Sequence, residues 1–252
     1  MGKYALLIGI NYRNTESELN GCVNDVANMK GFLLEHMSLS AENITILTED
    51  QPTQPTKKNI LNAIQQVIAT INDRAVTHGE ESDLWFHYSG HGSHVHDLSG
   101  DELDHQDEVL VPLDYAENDM ITDDLMNELF HKLTDKCHVF CLFDCCHSGT
   151  MLDLQYHYNG SHTVTENRQA MTAQIAMISG CMDSQTSADA WIDRTWSGAM
   201  TWAFLKSIEC MNYEGTYIQL LDHMRHHLKE AEYDQIPQLS ASCADLGRIF
   251  KK

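Results

Sequence analysis

Residues 84–92 read LWFHYSGHG, and residues 139–150 read VFCLFDCCHSGT. Each is a short apolar run ending in a Gly-bearing turn, which reads as a buried strand of a parallel sheet with polar side chains at its carboxyl end. Each also ends in chemistry: His91 in one, Cys145 and Cys146 in the other. A thiol beside an imidazole is the minimum for thiolate catalysis. The imidazole takes the thiol proton and later returns it to a leaving amine. Small residues after the cysteine let a substrate carbonyl approach backbone N–H donors. Side chains alternate between the two faces of a strand. Asp144 and Cys146 therefore share one face, Phe143 and Cys145 take the other, and Ser89 goes with His91. Each strand end offers one reactive residue and one polar neighbour two positions before it.

These two strands are expected over 82–89 and 138–144; working outward, the spacing predicts further strands at 3–10, 43–48, 175–180 and 238–241, with a short hairpin at 109–112. Helical spacing runs through 23–37, through Ile60, Ile64, Ile68 and Ile71 after Pro55-Thr56, and through 123–133, 197–211 and 216–232. Residues 155–171 are rich in Asn, Gly, Ser, Thr and Gln with little periodicity, and read as a linker. Strands alternating with helices imply a mostly parallel sheet with helices on both faces, its ligands at the carboxyl ends of the strands.

The 252 residues suit one large domain, and a hydrophobic fraction of 42% supports a packed core. Sixteen Lys and Arg against 37 Asp and Glu leave a charge of −21. That balance argues against a nucleic-acid backbone as partner and favours basic peptides or divalent cations. No apolar run reaches the roughly 18 residues of a membrane span, so no membrane partner is expected. The run ALLIGI at 5–10 is too short for a secretory signal, and Leu6 breaks the myristoylation pattern. Eight cysteines without regular spacing read as reduced thiols inside a cell, which gives a cytoplasmic expectation. His87, His94 and His96 surround His91 but fit no zinc-binding spacing.

Six segments together carry a resemblance: GCVNDV at 21–26, YSGHG at 88–92, DCCHSGT at 144–150, ISGCMDSQTSADA at 178–190, SGAMTWAFL at 197–205 and PQLSAS at 237–242. In this order and separation the chain resembles a metacaspase, a caspase-fold cysteine peptidase, from Tyr4 to about Ser242. The resemblance implies an α/β caspase-like fold and a single domain over 1–252. Region 1–154 then carries the His/Cys dyad, 155–171 is the linker, and 172–252 forms the small-subunit-like part. It implies His91 as catalytic histidine, Cys146 as nucleophile, and the N–H groups of Gly92 and Cys146 as oxyanion donors. It assigns Asp25, Ser89 and Asp144 to the pocket for the residue before the cut bond. Two carboxylates there favour Arg or Lys over Asp.

The acidic segments DLSGDELDHQDEVL at 97–110, ITDDL at 121–125 and MLDL at 151–154 match no EF-hand, and composition alone makes them a solvated acidic surface. The resemblance instead implies activating Ca²⁺ held by Asp107, Asp123, Asp124 and Asp153, with Asp104 the neighbouring alternative to Asp107. Between Lys136 and Arg194, Arg168 is the sole Lys or Arg, so self-processing of the linker is expected after it. The expected partners are protein or peptide substrates with a basic residue before the cut bond, met by a monomer. The alternatives from other classes are a catalytically silent caspase-like scaffold and a calcium-binding module.

Overall fold

The structure is a computed structural model. It describes residues 1–96, 106–146, 151–158, 162–164, 169–180, 189–192 and 195–246. In chain order the elements are β1 (Gly2–Gly9), α1 (Cys22–His36), β2 (Ile44–Thr48), α2 (Lys57–His78), β3 (Ser82–Ser89), β4 (Gly92–His96), β5 (Gln106–Leu110), α3 (Tyr115–Asn118), β6 (Ile121–Thr122), α4 (Asp123–Phe130), β7 (Cys137–Asp144), β8 (Tyr156–Tyr158), β9 (His162–Val164), β10 (Gln174–Ser179), β11 (Asp189–Ile192), β12 (Thr195–Gly198), α5 (Ala199–Cys210), α6 (Tyr217–Glu230) and β13 (Gln238–Ala241).

The main sheet runs β2-β1-β3-β7-β10-β13-β8-β9. Its first five strands are parallel, and the last three add on antiparallel. Alternation along the central strands divides the core in two. Leu6, Ile8, Phe86, Tyr88, Val139, Cys141 and Phe143 face α2 and α4 through Ile60, Ile64, Ile68, Met126 and Phe130. Leu7, Trp85, Phe140 and Leu142 face α1, α5 and α6 through Met29, Phe32, Phe204 and Leu228. On that second face Phe32, Trp85, Phe140 and Phe204 meet edge-on or stacked, with centroids 5.2 to 6.4 Å apart. Each such buried side chain contributes about 1.5–3 kcal/mol, so both helical layers are held firmly.

Two stretches differ from the sequence reading. The 155–171 segment is not structureless, because β8 and β9 inside it extend the sheet. Tyr158 is buried, and its hydroxyl donates to the Ala244 carbonyl at 2.9 Å. Strands of three residues are too short to show a period, which is why composition suggested a linker. The hairpin expected at 109–112 is instead the end of β5, the middle strand of a separate β4-β5-β6 sheet.

Helix starts also differ in kind. Thr56, Thr122 and Thr216 each accept a backbone N–H three residues on, capping α2, α4 and α6. α1 and α5 begin at Gly21 and Gly198 with no side-chain cap of their own. At α5 the missing acceptor comes from the sheet. Among the described residues no helix is long and apolar enough to cross a membrane.

Candidate active site

The two central strands end in register, with Ser89 opposite Asp144. The Gly90 N–H donates to the Asp144 carbonyl at 3.3 Å, so the pairing carries past the strand ends. His91 and Cys146 follow two residues later on each side. Alternation sends Cys145 into the first core beside Phe143, fully buried, and leaves Cys146 half-buried. At Gly92 a Cβ would collide with the Cys146 carbonyl and lie 3.2 Å from the Cys145 Sγ. Glycine there allows the two backbones to touch. Gly90 is crowded in the same way: a Cβ would lie 2.8 Å from the Tyr88 hydroxyl and 3.0 Å from that of Tyr12.

His91 is held from several sides. Its N–H donates to the Tyr12 hydroxyl at 3.0 Å, and its carbonyl accepts from the Tyr88 hydroxyl at 2.8 Å and from the Val111 N–H at 3.2 Å. Tyr12 in turn donates to the Val111 carbonyl at 2.6 Å, and its ring lies 4.7 Å from the imidazole. Burial pushes both phenols far above their usual range, so they remain neutral donors. The Nε2 of His91 lies 2.7 Å from the Ser17 carbonyl. A carbonyl only accepts, so Nε2 carries the hydrogen and Nδ1 is the basic nitrogen of the neutral ring.

The second feature is a buried acid pair, Asp25 and Asp144, on the sheet face covered by α1 and α5. Gly9 of β1 lets α1 come close, because a Cβ there would sit 2.7 Å from Val26 Cγ2 and 3.0 Å from the Cys22 carbonyl carbon. That approach brings Asp25 to the strand ends. It accepts from the Ser89 hydroxyl at 2.7 Å, the Ser197 hydroxyl at 2.6 Å and the Gly198 N–H at 3.0 Å. Asp144 accepts the N–H and the hydroxyl of Thr201, both at 2.8 Å, and so serves as the cap that α5 lacks. Burial, and then the negative charge of Asp144, raise the Asp25 carboxyl well above its ordinary range, against the pull of its three donors. Gly198 touches both acids, and a side chain there would fill the space between them. An acid pair of this kind, charged only at a cost, is suited to a guanidinium or ammonium group.

Of the other predicted residues, Asp107, Asp123 and Asp153 are buried, on β5, at the start of α4 and after β7. Asp124 is exposed. Asp123 accepts the Glu108 N–H at 2.9 Å and the Asp124 N–H at 2.7 Å. Desolvation, then a hydrogen bond to the Glu108 carboxyl and its charge, push Asp123 up to about 8. The donors are the hard oxygens that calcium prefers. As folded, however, no three His, Cys, Asp or Glu side chains converge on one metal position among the described residues. Asp104 and Arg168 lie outside the described residues.

Several site residues escaped the sequence reading. Ser17 acts through its carbonyl and Tyr12 through a loop with φ of 52°, and neither leaves a pattern in sequence. Ser197 and Thr201 did leave one: they stand in SGAMTWAFL, polar residues at a helix start with no cap of its own.

The model of the metacaspase peptidase C14 domain matches residues 3–155. Metacaspase-1 of Meyerozyma guilliermondii is 39% identical over 95% of this chain and 69% of its own length. Metacaspase-1B of Neurospora crassa is 37% identical over 94% of this chain and 66% of its own. The chain thus spans about two thirds of these relatives. Among solved structures, a Geobacter sulfurreducens protein superposes with TM-score 0.70 at 23% identity, covering 97% of this chain and 95% of that one. Caspase-1 of Spodoptera frugiperda superposes with TM-score 0.55 at 12% identity, covering 94% and 85%. These last two speak for the caspase-like fold alone. With the family model matching more than half its length, the chain belongs to the metacaspase family of cysteine peptidases.

Proposed function

We propose that the chain is an endopeptidase that cuts after arginine and lysine, with Cys146 as nucleophile and His91 as its acid and base. The observation that carries this reading is the buried Asp25–Asp144 pair, at the ends of the two strands that present His91 and Cys146. The Cys146 thiol gives its proton to Nδ1 of His91, and the thiolate attacks the peptide carbonyl carbon. The resulting oxyanion is sheltered by the N–H groups of Gly92 and Cys146. Collapse breaks the C–N bond, and the leaving amine takes the proton from His91. A water, deprotonated by the same nitrogen, then splits the thioester and frees Cys146. Throughout, the Ser17 carbonyl accepts from Nε2–H and so steadies the ring and its tautomer.

The test is a fluorogenic peptide panel with Arg, Lys or Asp before the leaving group, with and without Ca²⁺. Arg and Lys substrates turn over and the Asp substrate does not; efficient Asp cleavage overturns the specificity. Cys146→Ala abolishes turnover and labelling by an arginyl chloromethyl ketone, whereas Cys145→Ala retains both. The opposite pattern reassigns the nucleophile. Absence of labelling in the unaltered chain favours the silent scaffold.

Calcium activation is part of the proposal. When bound, the ion neutralises the carboxylates of Asp107, Asp123, Asp124 and Asp153. The chain works as a cytoplasmic monomer, in keeping with eight cysteines that show no regular spacing. Self-processing falls after Arg168, so a cut chain yields Gln169 as its new N-terminus on sequencing, and any other first residue rejects this site. The pieces remain associated, because β10 after the cut lies between β7 and β13.

A further inference from the structure

His87 lies on β3, two residues before Ser89 and on the same face, fully buried. Its Nε2 is 3.0 Å from the Thr201 hydroxyl oxygen. That hydroxyl also lies 2.8 Å from Asp144 Oδ2, and a carboxylate oxygen accepts. A hydroxyl has one hydrogen. With that hydrogen on Asp144, Thr201 must accept from His87, so Nε2 carries the imidazole hydrogen. Nδ1 is then a bare acceptor, and it meets no hydrogen-bond partner among the described residues. Burial drives the ring's proton affinity down to about 3, so the ring is neutral and keeps this tautomer. A row of donors runs one way, from His87 to Thr201 to Asp144.

We propose that His87 is a positioning residue for substrate specificity: by donating to Thr201 it locks the hydroxyl of that residue onto Asp144 and so keeps the Asp144 carboxylate oriented for the cation of the substrate. The inference rests on the reading of Asp25 and Asp144 as the Arg/Lys pocket. It assigns to a buried histidine next to the catalytic motif a task distinct from that of His91. Aligned hydrogen bonds strengthen one another, so a donor one residue removed still acts on the carboxylate. An apolar side chain in its place frees the hydroxyl to rotate and leaves its oxygen without a donor.

The test measures kcat/KM for two fluorogenic peptides that differ only at the residue before the leaving group, arginine or its neutral isostere citrulline. The unaltered enzyme prefers arginine. In His87→Leu the arginine-to-citrulline ratio falls about tenfold, or about 1.4 kcal/mol of discrimination, with the loss on KM for arginine. His87→Gln restores the ratio, because its amide N–H can donate to Thr201. Thr201→Val lowers the ratio as His87→Leu does, the double variant adds nothing further, and Thr201→Ser keeps it. Equal losses for both substrates in His87→Leu would mark a merely structural role and overturn the proposal, as would an unchanged ratio or failed rescue by Gln. If His87→Leu does not fold, the Val and Ser variants at Thr201 decide alone: equal ratios in those two overturn the proposal. If the unaltered enzyme itself shows no preference for arginine, the pocket reading fails and the proposal with it. A preference that survives in His87→Leu sinks the proposal and leaves the pocket reading standing.

Discussion

Two pairs of buried carboxylic acids, Asp25 with Asp144 and Glu108 with Asp123, are treated very differently by the fold. The first pair is served from three separate elements: Ser89 on β3, Ser197 and Gly198 on β12, and Thr201 on α5. The Glu108–Asp123 pair closes on itself. Asp123 takes the backbone N–H of Glu108 and of Asp124, and the two carboxyls bond to each other through a proton. Donors that converge from distant parts of the chain make a receptor in place before any cation arrives. A pair closed on its own proton must first open. On the proposed reading, the Asp25–Asp144 pair is therefore a preformed cation site and the acidic loops a latent one.

The sharpest way to break this contrast is to remove Asp144. Thr201 then loses the acceptor for its N–H and hydroxyl, α5 loses its cap, and half of the pocket charge goes. Losing one partner of a desolvated charge pair costs about 2–5 kcal/mol. Asp144→Ala should therefore lower kcat/KM for arginine substrates about thirtyfold or more, at 1.4 kcal/mol per tenfold. Cleavage of those substrates within about fivefold of the unaltered enzyme would mean that the pair is not the receptor.

A smaller effect sharpens the contrast through pH. The folded pKa of Asp25 lies above its ordinary 3.8, so the folded state keeps that proton longer than the unfolded chain does. The resulting stability is full below about pH 3.8 and is lost as pH rises through the raised value. Asp123 has the same sign, with its loss ending near pH 8. Melting temperature of the substrate-free, calcium-free protein should thus fall as pH climbs from about 5 to about 8. Asp25→Asn and Asp123→Asn should each flatten part of that slope. A peptide aldehyde ending in arginine should flatten the part that belongs to Asp25 and leave the part that belongs to Asp123. If the aldehyde acts equally in both variants, the two pairs are not independent.

How much of this was legible beforehand depends on the kind of signal. The central strands were, because a buried parallel strand is a largely apolar run, and 82–89 matched the structure residue for residue. The separation of Cys145 from Cys146 was also prefigured, since alternation past the end of β7 buries the first thiol and leaves the second half-buried. The short strands β8 and β9 were not, because three residues carry no measurable period. Nor was the clamp on His91. The Ser17 carbonyl and the Tyr12 turn are backbone features set by how the β1–α1 loop folds over the strand ends. The link from His87 to Asp144 was hidden for another reason: Thr201, which joins them, is 114 residues from His87 in the chain.

The smallest expected effect concerns the latent pair, and calcium is its probe. A dication that engages Asp123 must displace the proton it shares with Glu108, because a protonated carboxyl is a poor metal ligand. Calcium binding should therefore release about one proton near neutral pH and tighten as pH rises toward 8. Titration calorimetry in two buffers of different ionisation enthalpy counts that proton directly, without reference to catalysis. Because the carboxylates do not converge beforehand, reorganisation is drawn from the binding energy and the affinity should be weak. At a calcium concentration of about ten times Kd the fold gains about 1.4 kcal/mol, or about 3–6 °C in melting temperature for a chain of this size. Magnesium at equal concentration controls for the general attraction of a chain carrying −21; it resists shedding its water and should shift melting less. Asp123→Asn should bind calcium more weakly and release no proton. If that variant shifts and releases as the unaltered chain does, the ion binds elsewhere. If neither melts higher nor releases a proton with calcium, the acidic loops are solvated surface, and the pocket pair alone accounts for how this enzyme meets positive charge.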